Sequence, residues 1–333
     1  MASSPVTGSG EFVRQTEPFR RELLAHCYRM LGSADDAEDL VQETYLRAWR
    51  SFERFEGRSS IRSWLYRIAT NACLTALKQR RPRVLSSGLG APSDDPDGPP
   101  LPAGPEVVWL EPLPDRLVGA GSEDPAEIVA QRQQLRLALV ASLQYLPARQ
   151  RAVLLLREVL AFPAAEVARI LDTTTAGVKS ALQRARARLD EVVPAVEQVS
   201  EPTDPDARRL LERYIAAFES SDAVALERTL REDAVLEMTG TRTWFSGLRT
   251  CMPYFRSQAL GSPGEWRMVA TAANGQPAAA VYRRDAEGVH RAFGVAVLTT
   301  TPTGIARITL FGDPALVARC GLPPVAPALP GQP

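Results

Sequence analysis

Apolar residues recur at helical spacing in the first part of the chain. Ser33 has the position of an N-cap, and the acidic residues after it fall in a first helical turn, where negative charge stabilises the helix dipole. The helix predicted from there has an inward face of Ala37, Leu40, Val41, Tyr45, Ala48 and Phe52. A second helix is predicted from Ser59 or Ser60, with an inward face of Ile61, Leu65, Ile68, Ala72 and Ala76. The pattern predicts an all-α bundle over residues 14–82.

The same helical spacing returns between residues 126 and 193. A first helix is predicted over 126–145. Three further helices, separated by turns of two or three residues, are predicted over 147–160, 163–171 and 175–192. A short helix, a tight turn and a longer basic helix are typical of a helix-turn-helix. The outward face of the last helix carries Thr175, Lys179, Ser180, Gln183, Arg184, Arg186 and Arg188.

The pattern changes from helices to strands in the third part, residues 206–322. Helices are predicted over Ala207–Phe218, Ala223–Leu230 and Thr250–Ala259. A strand is predicted over Val235–Met238, and hairpin turns at Asn274-Gly275 and at Pro302-Thr303-Gly304. Helices followed by an antiparallel sheet predict an α+β domain.

Proline and glycine separate these parts. Between Pro82 and Pro125 there are ten prolines and six glycines, above the roughly 25–30% that marks low-complexity sequence. Because the segment is also acidic, we predict an extended, mobile linker over 83–125, except around Val107–Leu110, which is apolar enough to dock on a surface. The remaining connecting segments are a joint over 194–205 and a disordered tail over 323–333.

Composition excludes several classes of protein. The chain has 333 residues with 39 basic and 39 acidic side chains, and no apolar run reaches the roughly 18 residues of a membrane helix. Its N-terminus lacks the layout of a secretory signal. The four cysteines lie far apart and the chain has two histidines, so neither a zinc site nor a disulfide framework is predicted. The expected location is the cytoplasm, and no metal or cofactor is expected.

Positive charge is concentrated on the second predicted helix. From Gly57 to Arg83 there are seven basic residues and no acidic one. The face opposite the apolar stripe consists of Arg62, Arg67, Thr70, Asn71, Thr75 and Lys78. In a chain without net charge, such a face indicates a surface that binds a polyanion. A basic face that is merely solvated is the alternative.

Several motifs between residues 14 and 193 resemble those of bacterial sigma factors of the sigma-70 family, of the extracytoplasmic-function (ECF) type. DAEDLVQET, residues 36–44, resembles region 2.2, which grips the polymerase clamp. SWLYRIATN, residues 63–71, resembles the helix of regions 2.3 and 2.4, which melts and reads the −10 element. LPARQR, residues 146–151, together with residues 166–188, resembles region 4, which reads the −35 element.

The resemblance implies three sets of contact residues. Contacts with core RNA polymerase would come from Asp36, Asp39, Leu40, Gln42 and Glu43. Contacts with the −10 region of promoter DNA would come from Arg58, Ser59, Ser60, Arg62, Trp64, Arg67, Asn71 and Lys78. Contacts with the −35 region would come from Thr175, Lys179, Ser180, Gln183 and Arg184. Core packing is an alternative role for Trp64, and Thr75 and Ala181 depart from the residues common in the family.

The third part resembles the cone-shaped SnoaL-like, or nuclear-transport-factor-two-like, domain. The resemblance implies a fused regulator that contacts the sigma domains or the linker, and a polar pocket that could bind a small ligand. His290 with Asp233, Glu237 or Asp285 is the only set from which a catalytic pair could come, although Glu237 reads as a solvated strand residue. The chain is not expected to be an enzyme.

The expected fold is therefore two all-α sigma domains followed by an α+β cone, and the expected function is promoter recognition with core polymerase. Two alternatives come from other classes of protein. One is a helix-turn-helix regulator that binds duplex DNA without polymerase, which would not need the first helical block. The other is an enzyme or ligand-binding cone with a DNA-binding accessory, which depends on the cone alone.

Overall fold

The computed structural model describes residues 5–57, 59–119, 129–130, 132–192 and 200–327. The chain divides into two compact units. The first comprises Met1–Arg83 and Leu117–Pro194, and the second comprises Val84–Arg116 and Ala195–Pro333. Each unit is therefore built from two separate stretches of sequence. Within the described residues, no helix is both long and apolar enough to cross a membrane.

The N-terminal stretch of the first unit forms a helical bundle. Its helices are α1 (Pro5–Thr16), α2 (Arg20–Leu31), α3 (Ala34–Ser51) and α4 (Ile61–Leu77). The Ser33 hydroxyl accepts a hydrogen bond from the Asp36 amide, and the Ser60 hydroxyl accepts one from the Ser63 amide. Both predicted helix starts are therefore capped by serine.

One residue of α4 lies on a different face from the one predicted. Thr70 is fully buried and its hydroxyl lies 2.9 Å from His26 Nε2 on α2. Burial lowers the pKa of His26 to about 3, with a further contribution from Arg29, so the imidazole is neutral there. The bond to His26 Nε2 gives the Thr70 hydroxyl a partner in the interior, which explains why Thr70 faces inward.

The C-terminal stretch of the first unit contains the helix-turn-helix. Along the chain, a short helix, α5 (Asp115–Val118), begins in the second unit and ends in the first. The helices of this stretch are α6 (Leu137–Leu143), α7 (Ala148–Leu154, continued by a π-helical turn to Val159), α8 (Ala164–Ile170) and α9 (Thr175–Val192). The helix predicted over 126–145 is broken before α6. The Gln134 carbonyl there accepts a hydrogen bond from Arg29 Nε (3.2 Å) in place of a helical amide.

The second unit is a six-stranded sheet with helices on it. The helices are α10 (Pro205–Glu219), α11 (Ala223–Glu227), α12 (Leu248–Tyr254, continued to Ala259) and α13 (Ala315–Arg319). The strands are β1 (Leu230–Met238), β2 (Trp244–Ser246), β3 (Trp266–Ala273), β4 (Gln276–Arg284), β5 (His290–Thr301) and β6 (Gly304–Phe311). Their order is β2-β1-β6-β5-β4-β3, and only the β1–β6 pair is parallel.

The hairpin turns form where the sequence predicts them. Asn274 and Gly275 join β3 to β4 with φ angles of 58° and 62°, the left-handed pair that a two-residue hairpin requires. Apolar side chains of α10, α12 and the sheet fill the space between them, including Tyr214, Phe245 and Leu298. The predicted fold class, helical domains followed by an α+β cone, is confirmed.

Residues 84–116 belong to the second unit, although they were predicted to form a free linker. Val84 pairs with Trp109 as an isolated bridge, and Leu110 and Leu113 have no exposed surface. Docking was predicted only around Val107–Leu110, and there Leu110 is buried as expected, whereas Leu113 and the rest of 84–116 were assigned to a mobile linker from their proline, glycine and acidic content. The rest of the predicted linker includes residues 120–128, which lie outside the described residues.

Candidate nucleic-acid interface

The outward face of α3 carries most of the predicted polymerase contacts. Asp39 and Gln42 are exposed, and Leu40 and Glu43 are half-buried. Glu43 forms an ion pair with Arg47 at 2.5 Å, one helical turn further on. An exposed pair of this kind stabilises the helix by only about 0.5 kcal/mol, so the face can change partner at little cost.

Asp36 is engaged within the first unit. Its carboxylate accepts hydrogen bonds from Arg83 (2.8 Å) and from Arg80. Partial burial alone would raise the pKa of Asp36, but the bonds from Arg83 and Arg80 outweigh it and hold the pKa below its ordinary value. Asp36 therefore ties the segment after α4 to the first turn of α3.

We expect Asp36→Asn to lower the free energy of unfolding by about 1–2 kcal/mol at pH 7, because a charge-assisted pair is lost. Since the folded pKa is depressed, this contribution is present above the unfolded value of 3.8 and is lost as the pH falls through the folded pKa. Urea unfolding of both proteins between pH 7 and pH 3 measures the difference. Asp39→Asn, on the exposed face of α3, is the control, and an equal loss in both variants would contradict the assignment.

The predicted −10 residues lie at different depths on and before α4. Ser59 is half-buried, while Ser60, Arg67, Asn71 and Lys78 are exposed. The Trp64 ring is half-buried against two aromatic rings, with centroids 4.8 Å from Phe55 and 6.3 Å from Phe52. Arg58 lies outside the described residues.

One edge of α4 contacts the helix-turn-helix. The guanidinium of Arg62 bonds Glu22 at 3.1 Å and lies 4.7 Å from the ring centroid of Phe162. The hydroxyl of Ser63 donates to the carboxylate of Glu166 on α8. Further along α4, Asn71 Nδ2 donates to the Ile170 carbonyl at 3.4 Å. Sequence reasoning did not find Phe162 or Glu166, because nothing local marks them as partners of α4.

A buried arginine joins the same two parts of the unit. Arg151 is 3% exposed and donates to the carbonyls of Met30, Gln144 and Leu146 and to the side chain of Gln144. These carbonyls end α2 and follow α6, where helices leave acceptors without partners. Burial lowers the pKa of Arg151 to about 10, with an opposing contribution from Cys73, so the guanidinium stays charged at neutral pH.

The helix α9 presents the predicted −35 residues to solvent. Thr175, Lys179, Ser180, Gln183 and Arg184 are all exposed. Val178 and Ala185, on the opposite face of the helix, are buried at 1% and 0% exposure. Arg184 bonds Ser180 at 2.6 Å, and Arg186 pairs with Glu158 at 2.7 Å. The face has the donors, the acceptors and the positive charge that the major groove of DNA requires.

The candidate catalytic side chains of the cone each have a separate partner. His290 Nε2 lies 2.9 Å from the Gly264 carbonyl, Asp233 pairs with Arg231, and Asp285 pairs with Arg291. Glu237 is fully buried, although the sequence reads as a solvated strand residue there. Within the described residues, no group of His, Cys, Asp and Glu could hold a metal ion.

Residues 84–116, which we call the docked segment, are bound at their start by Glu237. Glu237 lies between Leu236 and Met238, which contribute to the core on one face of the sheet, so its side chain belongs to the opposite face. One carboxylate oxygen accepts from Arg307 (2.8 Å) and Thr309 (3.2 Å), and the other accepts from the Ser87 amide (3.1 Å). The Ser86 hydroxyl donates to the carbonyl of Met238 at 2.8 Å. Burial is compatible with the charge because each oxygen is bonded.

The end of the docked segment is held by the first hairpin turn. The Asn274 amide donates to the Leu113 carbonyl at 2.8 Å, and the Leu113 amide donates to Asn274 Oδ1 at 3.0 Å. The Gly275 amide donates to Asp115 at 2.8 Å. Between the two ends, Gln258 Nε2 donates to the carbonyls of Pro96, Asp97 and Gly98 at 3.0–3.2 Å. We call residues 84–116 and these partners the linker clasp.

Comparison with known proteins agrees with this geometry. The sigma-70 region 2 model matches residues 16–83, and the sigma-70 region 4 model matches residues 136–189. The chain is 51% identical over 316 residues to the ECF RNA polymerase sigma factor SigG of Mycobacterium tuberculosis, covering 94% of this chain and 84% of SigG. It is 28% identical over 222 residues to SigJ of the same species, covering 66% of this chain and 62% of SigJ.

The fold extends this likeness to the cone. The crystal structure of M. tuberculosis SigJ matches with a TM-score of 0.59 at 22% identity, covering 94% of this chain and 99% of that chain. Two helical sigma domains followed by a cone define a sigma-70-type protein with a C-terminal extension. The chain belongs to the ECF sigma factors. We refer below to residues 16–83 as region 2 and to residues 136–189 as region 4.

Proposed function

We propose that this ECF sigma factor joins core RNA polymerase through the outward face of α3, opens and reads the −10 element with α4, and reads the −35 element with α9. The observation that carries the proposal is the match to SigG over 94% of the chain, together with the exposure of Asp39 and Gln42. Binding free energy opens the DNA in this proposal, so no bond chemistry is required of the protein.

We also propose that the cone regulates the factor through the linker clasp. The support is the number of specific bonds that hold residues 84–116 at Glu237, Gln258 and Asn274. These residues connect region 2 to region 4 along the chain. A domain that binds this connecting segment can affect how far apart region 2 and region 4 can lie.

The polymerase assignment is tested by reversing charge on α3. Asp39→Lys combined with Glu43→Lys should weaken binding to purified core polymerase at least tenfold, because two attractive contacts become repulsive ones, about 1.4 kcal/mol or more. The fold should be retained, since both side chains point away from the core. Fluorescence anisotropy with labelled protein gives the dissociation constant.

The matched control is Glu17→Lys combined with Glu53→Lys, which changes net charge equally at two exposed positions of region 2 outside this face. The control should bind polymerase as the wild type does. Equal affinity of all three proteins would refute the assignment of α3.

We expect the −35 contacts to depend on single side chains of α9. Lys179→Ala, Gln183→Ala and Arg184→Ala should each weaken binding to a −35 duplex selected from a random library, by about 1–3 kcal/mol where a base contact is lost. Gel shift at fixed salt measures the effect. Arg208→Ala removes an exposed arginine of the cone and is the control. A comparable loss in that control would indicate non-specific charge rather than reading by α9.

A further inference from the structure

The first helix of the chain, α1, precedes region 2 and yet is tied to it. The region 2 model begins at residue 16, whereas α1 spans Pro5–Thr16. The Tyr45 hydroxyl of α3 donates to the Thr16 carbonyl at 2.8 Å, and the Thr16 hydroxyl donates to the Phe12 carbonyl at 2.8 Å. Phe12 is 6% exposed, so this end of α1 is buried on α3 although it lies before the matched residues.

Phe12 packs its ring against three aromatic rings at the end of α3. Its centroid lies 6.2 Å from that of Tyr45, 5.2 Å from that of Trp49 and 5.2 Å from that of Phe52, with interplanar angles of 84°, 74° and 82°. Edge-to-face contact is a favoured geometry of aromatic pairs. Because Phe12 makes three such contacts at once, its ring and the ring of Phe52 are fixed relative to each other.

Phe52 connects this contact to the loop before α4. It begins the 3₁₀ turn Phe52–Arg54, and its carbonyl accepts a hydrogen bond from the Phe55 amide at 2.9 Å. The Trp64 ring on α4 then lies 6.3 Å from the Phe52 centroid and 4.8 Å from the Phe55 centroid. We call Phe12, Phe52, Phe55 and Trp64 the aromatic row.

The two ends of the aromatic row differ in exposure. Phe12 is buried, whereas Phe55 and Trp64 are half-buried and keep ring surface open to solvent. Two exposed arginines flank this open end, Arg54 beside Phe55 in sequence and Arg67 three residues after Trp64 on the same helix. Aromatic rings next to positive charge are what proteins use to stack the bases of a single strand and hold its phosphates.

We propose that Phe12 is a positioning residue for strand opening: through Phe52 it holds Phe55 and Trp64 in the arrangement that stacks an unpaired base of the −10 element. This inference rests on the proposed sigma function and gives α1 a role in it. Phe12 acts on the strand only through its neighbours, because its own ring is buried. It acts through ring geometry, so an apolar side chain without a ring does not replace it.

The test removes the ring of Phe12 and keeps an apolar side chain. Holoenzyme is assembled from core polymerase and wild-type protein, Phe12→Leu or Val13→Ala. Val13 is the matched control, because it is the next residue of α1 and is 52% exposed. The probe is a single strand that the wild-type holoenzyme selects from a random library. Fluorescence anisotropy gives its affinity, first intact and then with each nucleotide in turn replaced by an abasic sugar.

For the wild type, one abasic position should weaken binding most, roughly tenfold, because a stacked base is lost there. Phe12→Leu should bind the intact strand roughly three- to tenfold more weakly. Its penalty at that abasic position should shrink by the same factor, since the base is already poorly stacked. Val13→Ala should match the wild type. An undiminished abasic penalty in Phe12→Leu would overturn the proposal, whether or not its overall affinity falls.

A double variant excludes a merely structural role for Phe12. Phe12→Leu combined with Trp64→Leu should bind the strand no more weakly than Trp64→Leu alone, because both changes remove the same stack. Losses that multiply would overturn the proposal. Phe52→Leu breaks the aromatic row at its next ring and should reproduce the abasic pattern of Phe12→Leu, which keeps the test decisive if Phe12→Leu does not fold.

The wild type separates this inference from the proposed function. A wild-type holoenzyme that selects no strand, or that shows no abasic penalty at any position, would refute the proposed role of α4 and the inference with it. A wild-type penalty at one position, retained in full by Phe12→Leu and by Phe52→Leu, would refute the role of Phe12 alone. Affinity for core polymerase is measured in parallel and should be unchanged in Phe12→Leu.

Discussion

Arg151→Leu is expected to lower the free energy of unfolding of the first unit by about 2–4 kcal/mol. The substitution leaves the carbonyls of Met30, Gln144 and Leu146 buried without the guanidinium that they share. An acceptor left unpaired in the interior costs about 1–3 kcal/mol, and the leucine recovers part of this by apolar burial. The contact between region 2 and the start of region 4 should loosen as well.

Urea unfolding gives the total effect, and hydrogen exchange of α2 and α6 shows where it acts. Arg169→Leu, at an exposed position of α8, is the control and should change stability by less than about 0.5 kcal/mol. If Arg151→Leu proved as stable as this control, the bonds of Arg151 would not stabilise the first unit as proposed.

Leu110→Ala combined with Leu113→Ala is expected to release residues 84–116 from the cone. Both leucines have no exposed surface, and each truncation removes about 2–4 kcal/mol of burial and packing. The bonds that remain at Glu237 and Asn274 hold a segment whose apolar anchors are gone. Residues 84–116 should then be cleaved by protease at least tenfold faster than in the wild type, since cleavage follows the population of the open form.

Leu101→Ala is the matched control, because Leu101 lies in the same segment and is 66% exposed. It should be cleaved at the wild-type rate. Transcription by the double variant should differ from that of the wild type, because the cone is proposed to regulate the factor through these residues. Unchanged proteolysis in the double variant would mean that the polar bonds alone hold the segment.

The docked segment also affects how the cone can be removed. A truncation after Pro194 deletes the surface that covers Leu110 and Leu113, so the residues left behind would expose apolar side chains. Point variants and insertions therefore test regulation more cleanly than deletion does. For the same reason, an isolated cone lacking residues 84–116 would lack part of its own core.

The sequence by itself determined several helices of the two helical regions and the hairpin turns of the cone. Helical spacing placed α3, α4 and α9, because an amphipathic helix records its buried face locally. The Ser33 cap, the helix start at Ser60 and the Asn274-Gly275 turn formed as predicted, since these depend on neighbouring residues alone. The motifs of regions 2 and 4 were sufficient for the family.

Only the tertiary structure decided which side chains are free to act. Asp36 shares the acidic helix with Asp39, yet Arg80 and Arg83 engage it from beyond α4. In the alternating pattern of β1, Glu237 has the position of a solvent-facing residue. It is buried because Ser87 of the docked segment and Arg307 of β6 both bond to its carboxylate. Glu166 reaches Ser63, and Leu113 reaches Asn274, across more than a hundred residues of sequence. These outcomes depend on burial by distant segments, which local periodicity and composition do not encode.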